Sequence, residues 1–437
     1  MRRFLVAVVC GALVACSGSD GGGGQQPASC SNIDQIRFVR DAMQDWYLWN
    51  DRLPANISAR DYTSPEALLA DLRTYSPDDG SGAPIDRFSF IGSAAADAAF
   101  FGEGQFEGFG FSRAPDARIT QVFAGSPADN GGLTRGQQIL EVDGRTVAEI
   151  EAAEGLGTAL NAASVTLLMR ATDGSQFTTA MTADLVTIDP IPQTRIISAG
   201  DGSGRTIGYL ELSTFISTAE PVLNQVFADF IANGVSEVIL DLRYNGGGLV
   251  RVSNLLGDYL GGIVPDGDVF SETRFNAARG GDNNSIEPFD QLPNSIGISR
   301  LVVIATRNTA SASELLTNSM ASYVDVAIVG DNTFGKPVGQ VGFTFCEKIL
   351  RPTAFQTFNA DGFGDYFDGL PATCAATDNL NVPVGDDADP NMVAALSYLN
   401  TGQCPPASQT RKAQRVDHRS LSDGTPQPPW REFAGAH

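Results

Sequence analysis

A serine and a lysine near the carboxyl-terminal third of the chain have the residue types needed for nucleophilic catalysis. Ser311 lies where a predicted strand gives way to a predicted helix, and a serine hydroxyl needs an adjacent base to become a good nucleophile. The two histidines, His418 and His437, both fall in the last twenty residues, so we expect no histidine base in the folded part. Because a buried lysine can lose its proton, Lys336 is the candidate base. The amide oxygen of Gln340, four residues further on, could orient the lysine amine.

Backbone amides near the serine could stabilise the negative charge that develops on a substrate carbonyl oxygen. The Ala312 N–H stands at the start of the predicted helix, where amides point outward. A second donor is expected from Gly246 or Gly247, because glycine allows a close approach of backbone to substrate. The sequence leaves the choice between these two glycines open.

Each of these residues also has a purely structural interpretation. Ser311 or Ser313 could cap a helix, Lys336 could be a solvated loop residue, and the glycines could form turns. Their joint placement in three successive loops favours catalysis. Glu314 is predicted to be only a first-turn or capping residue of the helix.

The sequence around these residues predicts alternating strands and helices, which would position them. Apolar strands are predicted at Ile207–Phe215, Val238–Leu242, Leu301–Ala305 and Val326–Val329, with helical patterns between them. The candidate residues follow the carboxyl ends of these strands, which is where α/β sheets place active sites. The fold class is therefore predicted to be α/β.

Two further segments precede this region. Residues 31–100 show helical periodicity and are predicted to form a small helical domain, with a helix starting at Ser64-Pro65. Residues 103–187 resemble a PDZ domain. In Gly108-Phe109-Gly110-Phe111 the glycines would let amides converge on a peptide carboxylate, the two phenylalanines would supply apolar contact, and the adjacent strand edge would accept the peptide. The alternative is a β domain that serves only as a spacer.

A short segment near the end of the first domain, before the PDZ-like one, has charged and aromatic residues. Asp86-Arg87-Phe88-Ser89 is expected to pack against the core, without a chemical role.

Together these motifs resemble the carboxy-terminal processing, or tail-specific, proteases. The resemblance lies in Thr-Ala-Ser-Ala-Ser-Glu, in Gly-Lys-x-x-x-Gln, in Asp-Leu-Arg-x-Asn-x-Gly-Gly at residues 241–248, and in the PDZ-like segment in front. It implies a crotonase-like α/β peptidase core with an N-terminal helical domain and an inserted PDZ-like domain. It also implies a serine endopeptidase without cofactor, in which Ser311 is the nucleophile, Lys336 the base and Gln340 its orienter. The implied substrates are proteins or peptides with apolar C-termini.

Two other functions remain open from the sequence. The chain could be a catalytically weak PDZ-type binding or adaptor protein, or a small-molecule carrier, since the family core also resembles retinoid-binding proteins. The presence of all three residues of the Ser311, Lys336 and Gln340 set argues against the adaptor, and the leader and PDZ segment argue against the carrier.

Composition excludes several classes of partner and cofactor. Acidic residues outnumber basic ones 51 to 29, for a net charge of −22, so no basic surface for nucleic acid is expected. With no histidine in the predicted core and no Cys-x-x-Cys pair, no metal site is expected.

The first residues read as an export signal. Arg2 and Arg3 precede a short apolar run that ends in Leu-Val-Ala-Cys, which resembles the bacterial lipobox with Cys16 as the lipidated residue. The alternative is cleavage near Ala15 without a lipid. We therefore expect a signal peptide at 1–15, a tether at 16–30, a peptidase core at 188–404 and a disordered tail at 405–437. Ser17 after the cysteine points to a lipid anchor in the outer membrane, facing the periplasm.

Apart from Cys10 and Cys16, the sequence has four cysteines, and an oxidising compartment favours disulfides between them. Three pairings are possible. The preferred prediction is Cys346–Cys374 together with Cys30–Cys404, and the alternative is buried free thiols.

Overall fold

The structure is a computed structural model that describes residues 26–406. The predictions on the signal peptide, on Cys16 and most of the tether, and on the tail beyond residue 406 lie outside the described residues. In the part of the chain that the structure describes, no helix combines the length and apolar character needed to cross a membrane.

The N-terminal region is helical, as its periodicity predicts. Its elements are α1 (Asn32–Trp46), α2 (Pro65–Arg73), β1 (Phe90–Ser93) and α3 (Ala94–Ala98). The predicted start at Ser64-Pro65 is confirmed, because the Ser64 hydroxyl accepts a hydrogen bond from the Ala67 N–H over 3.1 Å.

The PDZ-like region consists of short strands and three short helices. Its elements are β2 (Gln105–Gly108), β3 (Phe111–Arg113), β4 (Ile119–Val122), α4 (Pro127–Asn130), β5 (Gln138–Val142), β6 (Arg145–Thr146), α5 (Val147–Ala153), α6 (Leu156–Ala159), β7 (Ser164–Arg170), β8 (Gln176–Thr182) and β9 (Asp184–Thr187). The strands form a sheet of order β6-β5-β7-β8 and two strand pairs, β2-β9 and β3-β4. The region has its own apolar core, around residues such as Ile139, Ile150 and Leu167.

The rest of the chain forms the larger α/β region. Its elements are β10 (Gln193–Ser198), β11 (Thr206–Glu211), α7 (Ala219–Ala232), β12 (Val235–Asp241), α8 (Val250–Leu260), β13 (Val269–Phe275), α9 (Gly280–Asn283), β14 (Ser285–Pro288), β15 (Arg300–Ala305), α10 (Ala312–Met320), β16 (Asp325–Gly330), β17 (Val338–Gln340), β18 (Phe343–Phe345), β19 (Lys348–Arg351), β20 (Thr353–Phe358), β21 (Cys374–Ala375) and α11 (Pro390–Thr401).

The central sheet has six strands in the order β10-β11-β12-β15-β16-β21. The strands β11, β12, β15 and β16 are parallel, with Leu240 of β12 opposite Leu210 on one side and Val303 on the other. Apolar side chains from α7, α8 and α10 pack on one face, and those of α11 pack on the other. This burial of both faces explains the continuous apolar strands, and the α/β prediction is confirmed.

A second sheet and a hairpin connect the N-terminal region to the rest. The second sheet has four strands in the order β14-β13-β20-β17. The hairpin consists of β18 and β19, and β1 of the N-terminal region pairs with β19. Phe345 and Leu350 of this hairpin pack into the same apolar cluster as Val39, Met43 and Leu72 of the N-terminal helices. The N-terminal region therefore shares its core with residues about 300 positions away, because its two helices bury their apolar faces against the hairpin.

The predicted disulfide pairing is wrong. The structure pairs Cys30 with Cys346 and Cys374 with Cys404, with Cα–Cα distances of 5.9 and 5.3 Å. Cys346 lies at the turn of the β18–β19 hairpin, and this hairpin packs against α1, which begins just after Cys30. Helix α11 packs across β15 and β16, beside β21, and so brings Cys404 next to Cys374. The pairing follows these packings and not the proximity of the cysteines along the chain.

Candidate active site

Ser311 lies at a strained turn between β15 and α10. Its backbone angles are φ 57° and ψ −115°, a conformation that a non-glycine residue adopts only when its surroundings enforce it. The neighbouring residues supply that enforcement, since the Ala310 N–H and the Ser313 hydroxyl both donate to the Asn245 carbonyl, over 3.0 and 3.1 Å. Ser311 stays partly exposed while every residue of α10 is buried. Such a turn presents a nucleophile at the end of a sheet.

The loop after β12, which carries both candidate glycines, approaches this turn. Gly247 has φ +102°, and a Cβ there would lie 2.7 Å from the Ser311 Cβ and 2.9 Å from the Ala312 nitrogen. Only glycine fits at this distance. Its N–H, however, donates to the Asn245 Oδ1 over 2.9 Å. Gly246 is therefore the better candidate for the second oxyanion donor, beside Ala312.

Lys336 and Gln340 are in contact, as their spacing predicts. The Lys336 Nζ donates to the Gln340 Oε1 over 2.9 Å. The Gln340 Nε2 donates to the carbonyl oxygens of Phe88, over 2.7 Å, and Arg351, over 3.1 Å. These two contacts occupy the amide nitrogen, so the amide oxygen faces the lysine. Gln340 thus orients the amine in this structure.

Glu314 joins the serine and lysine loops, a role that the sequence interpretation missed. Its side chain is fully buried. The Oε2 atom accepts the N–H of Ser311 over 2.9 Å and the N–H of Lys336 over 2.8 Å. The Oε1 atom accepts the N–H of Gly335 over 2.7 Å and the hydroxyl of Thr333 over 2.5 Å. The backbone nitrogens of Ser311 and Lys336 are therefore neighbours across one carboxylate oxygen.

The surroundings of Glu314 act on its ionisation in opposite directions. Burial raises the pKa of the carboxyl group, while the hydrogen bonds from Thr333, Lys336, Gly335 and Ser311 lower it, and burial is the larger effect. The Ser-x-x-Glu spacing is a signal for a helix cap, and Glu314 does accept the Ser311 N–H as a cap would. Nothing in the local sequence pattern indicates that Glu314 also binds the loop that carries Gly335 and Lys336.

The PDZ-like region touches the loop that carries Gly246. Arg135 donates to the Tyr244 hydroxyl over 2.8 Å and to the Val382 carbonyl over 3.1 Å, and it forms an ion pair with Asp378. The Tyr244 hydroxyl also donates to Asp378. Because Tyr244 is two residues before Gly246, this network links the PDZ-like region to the candidate oxyanion site.

The predicted peptide-binding segment is placed differently from expectation. The side chains of Phe109 and Phe111 are fully buried in the PDZ-like core, so the prediction that they contact a peptide is wrong. Gly108 pairs with Asp184 of β9. At Gly110, with φ +79°, a Cβ would lie 2.2 Å from the Ser126 Cβ, so this glycine is required for packing. Among the described residues, β3 pairs with β4 on one side, and no described strand pairs with its other side.

The fold and site together define a class of protein. A mostly parallel sheet presents a serine at a strained strand-to-helix turn, with backbone amides and a lysine loop beside it, and a PDZ-like region contacts the same edge. This arrangement is typical of hydrolases that form a covalent intermediate.

Comparison with known proteins agrees with this class. Residues 206–364 match peptidase family S41, residues 34–90 match the N-terminal domain of S41 peptidases, and residues 118–170 match a PDZ domain. The chain belongs to peptidase family S41.

The curated relatives are named for C-terminal processing. A chloroplast C-terminal processing peptidase from Tetradesmus obliquus is 31% identical over 235 residues, which are 51% of this chain and 48% of that protein. A carboxyl-terminal-processing protease from Synechocystis is 29% identical over 222 residues, or 50% of this chain and 49% of that one. The chain spans about half the length of the curated relatives it matches.

Solved structures show the same fold. A Bacteroides fragilis chain assigned to the S41 proteases superposes with a TM-score of 0.65 at 22% identity, covering 84% of this chain and 97% of that one. The photosystem II D1 C-terminal processing protease gives a TM-score of 0.53 at 20% identity, covering 85% of this chain and 98% of that one.

Proposed function

We propose that this chain is a serine endopeptidase in which Ser311 is the nucleophile, Lys336 the general base and Gln340 its orienter. The observation that carries the proposal is the set of contacts around Glu314 and Lys336. One oxygen of the Glu314 carboxylate accepts the backbone N–H groups of both Ser311 and Lys336, and the Gln340 side chain accepts a hydrogen bond from the Lys336 amine. A cap or a solvated lysine would need no such arrangement.

In the proposed acylation, the Ser311 Oγ attacks the scissile carbonyl carbon and passes its proton to the neutral Lys336 Nζ. The carbonyl oxygen becomes an oxyanion, which the N–H groups of Ala312 and Gly246 stabilise. The C–N bond then breaks, and the leaving amine takes the proton from the Lys336 ammonium. An acyl ester on Ser311 and a new peptide amino terminus result.

In the proposed deacylation, Lys336 takes a proton from a water molecule that attacks the ester carbonyl. The ester C–O bond breaks, and the proton returns to the Ser311 oxygen. Gln340 suits both steps, because an amide oxygen accepts a hydrogen bond from a neutral amine as well as from an ammonium. The contact thus orients Nζ without requiring a charge on it.

We further propose that substrates are proteins or peptides of the cell envelope, selected by apolar C-terminal tails. The side of β3 that pairs with no described strand supports tail docking as an added strand, and the Arg135 network links that region to the Gly246 loop. The names of the curated relatives also refer to carboxyl-terminal processing. We propose that Cys16 carries a lipid that anchors the protein to the periplasmic side of the outer membrane.

The proposed activity is tested with an unfolded protein substrate that ends in an apolar tail. Wild type will produce fragments and Ser311→Ala will not, because the variant lacks the nucleophile. Amidating the substrate tail removes a charge that the PDZ-like region would bind, so cleavage will slow about tenfold. Fragment formation is followed by gel electrophoresis and mass spectrometry.

Three outcomes separate the alternatives. Fragments that persist with Ser311→Ala contradict the nucleophile. Binding of the tail without any cleavage by wild type indicates an adaptor protein. Equal cleavage of acid and amide substrates contradicts tail selection and indicates that the PDZ-like region is a spacer.

The link between the PDZ-like region and the site predicts a second effect. Arg135→Gln will lower kcat/KM about tenfold, because Tyr244 and the Asp378 carboxylate lose a charged partner beside the Gly246 loop. Steady-state kinetics on the same substrate measures the change. The matched control is Arg145→Gln in the same region, where Arg145 forms a surface ion pair with Glu154. Equal rates for the two variants would contradict the link.

A further inference from the structure

The segment Asp86-Arg87-Phe88-Ser89, near the end of the N-terminal region, is hydrogen-bonded to Thr353 of β20. Asp86 is 3% exposed, and its Oδ1 accepts the N–H groups of Phe88, over 3.1 Å, and Ser89, over 3.0 Å. The Thr353 hydroxyl donates to the same oxygen over 3.0 Å, and the Thr353 N–H donates to the Ser89 hydroxyl over 2.8 Å. The backbone of this segment is therefore a fixed support.

Arg87 projects from this support onto the loop that leads into Lys336. Its Nη2 donates to the carbonyl oxygens of Phe334, over 3.3 Å, Gly335, over 3.1 Å, and Phe367, over 3.0 Å. Its guanidinium carbon lies 5.0 Å from the ring centroids of both Phe88 and Phe334. The side chain thus holds the two residues that precede the lysine.

Phe88 contacts the other side of the lysine. Its carbonyl oxygen accepts the Gln340 Nε2 over 2.7 Å, and its ring centroid lies 5.7 Å from the Lys336 Nζ. Two consecutive residues of the N-terminal region therefore contact the lysine loop, the lysine amine and the residue that orients the amine.

The peptide groups before Lys336 are held from opposite ends. The carboxylate of Glu314 accepts hydrogen bonds from the N–H groups of Gly335 and Lys336, and the guanidinium of Arg87 donates to the carbonyl oxygens of Phe334 and Gly335. Hydrogen bonds to charged groups are about twice as strong as those between neutral groups. Charged side chains therefore restrain both the N–H groups and the carbonyl groups of the loop that leads into Lys336.

We propose that Arg87 is a positioning residue for Lys336, supplied by the N-terminal region to the catalytic core. The proposal rests on the proposed function, because it assigns the restraint to the alignment of the general base. Misplacing a catalytic group by about 1 Å can reduce the rate about a hundredfold, so this restraint has a measurable consequence.

The kinetic test compares Arg87→Gln and Arg87→Lys with Arg37→Gln, a matched control on the same region whose arginine pairs with Asp34 at the surface. Arg87→Gln will lower kcat about 10- to 100-fold and leave KM within about twofold, since the substrate groove is untouched. Arg87→Lys will recover part of the loss, because an ammonium can still donate to the carbonyls. A rise in KM with unchanged kcat, or equal rates for Arg87→Gln and Arg37→Gln, would overturn the proposal.

A spectroscopic test makes the result independent of activity. The chain has only three lysines, Lys336, Lys348 and Lys412, so labelling lysine ε-carbons with ¹³C gives three signals that single Lys→Arg variants assign. Arg87→Gln will shift the Lys336 signal, which lies near the Phe88 ring, and leave that of Lys348 unchanged. Arg37→Gln will shift neither signal. If Arg87→Gln does not fold, Arg87→Lys undergoes the same measurement.

The two tests distinguish failure of this inference from failure of the proposed function. If wild type cleaves only with Ser311 and Lys336 intact, and the Lys336 signal is the same in Arg87 variants as in wild type, the positioning role is wrong. If wild type cleaves nothing, the proposed function is wrong, and the Lys336 signal still shows whether Arg87 positions the side chain.

Discussion

Lys336→Arg will reduce peptide-bond hydrolysis by at least about a hundredfold, although it keeps the positive charge and nearly the length of the side chain. An arginine stays protonated in a protein and cannot accept the Ser311 proton. The larger guanidinium must also share the space between the Gln340 amide and the Phe88 ring. The measurement is kcat/KM for a peptide substrate at neutral pH.

The matched control is Lys348→Arg, at a lysine that pairs with Glu66 at the surface. We expect this variant to retain the wild-type rate. Gln340→Ala will lose less activity than Lys336→Arg, because it removes the orienting contact and leaves the base. Retention of more than a few per cent of the wild-type rate by Lys336→Arg would show that the base is another group.

Glu314→Gln will affect both stability and catalysis. The two carboxylate oxygens together accept four donors, and an amide nitrogen in place of either oxygen would face two of those donors. Leaving buried donors without an acceptor costs about 1–3 kcal/mol for each group. We therefore expect the free energy of unfolding to fall by about 2–4 kcal/mol, and kcat to fall about a hundredfold, as the Ser311 and Lys336 loops separate.

Urea unfolding and steady-state kinetics at low temperature measure the two effects separately. The control is Glu272→Gln, which removes a surface carboxylate paired with Arg274 and should change neither quantity. If Glu314→Gln unfolds at the wild-type urea concentration and keeps the wild-type rate, Glu314 is only a helix cap.

The elements and the candidate reactive residues could be predicted from local patterns. Apolar runs at strand length, helical periodicity and the Ser64-Pro65 start identified the α/β core and the N-terminal helices, because these signals depend on neighbours within a few residues. Ser311, Lys336 and Gln340 could be named because three polar loops follow successive strands, and parallel strands bring those loops to one edge. The contact between Lys336 and Gln340 also spans only four residues.

Contacts between distant segments could not be predicted in this way. The sequence left the choice between Gly246 and Gly247 open, and the structure favours Gly246 as the candidate because the Asn245 side chain accepts the Gly247 N–H. It predicted the wrong cysteine pairs, because the packing of the β18–β19 hairpin on α1 brings Cys30 to Cys346.

For some side chains, the local sequence pattern predicts only part of the contacts, or the wrong ones. Glu314 has the spacing of a cap, yet it also accepts amides from a loop more than twenty residues away. Phe109 and Phe111 read as contacts for a peptide, yet the PDZ-like core buries both. Residue type and spacing determined which groups could react, since those properties belong to single side chains and short segments. Tertiary structure alone decided which groups meet, because burial and hydrogen bonding between distant segments depend on how the layers pack.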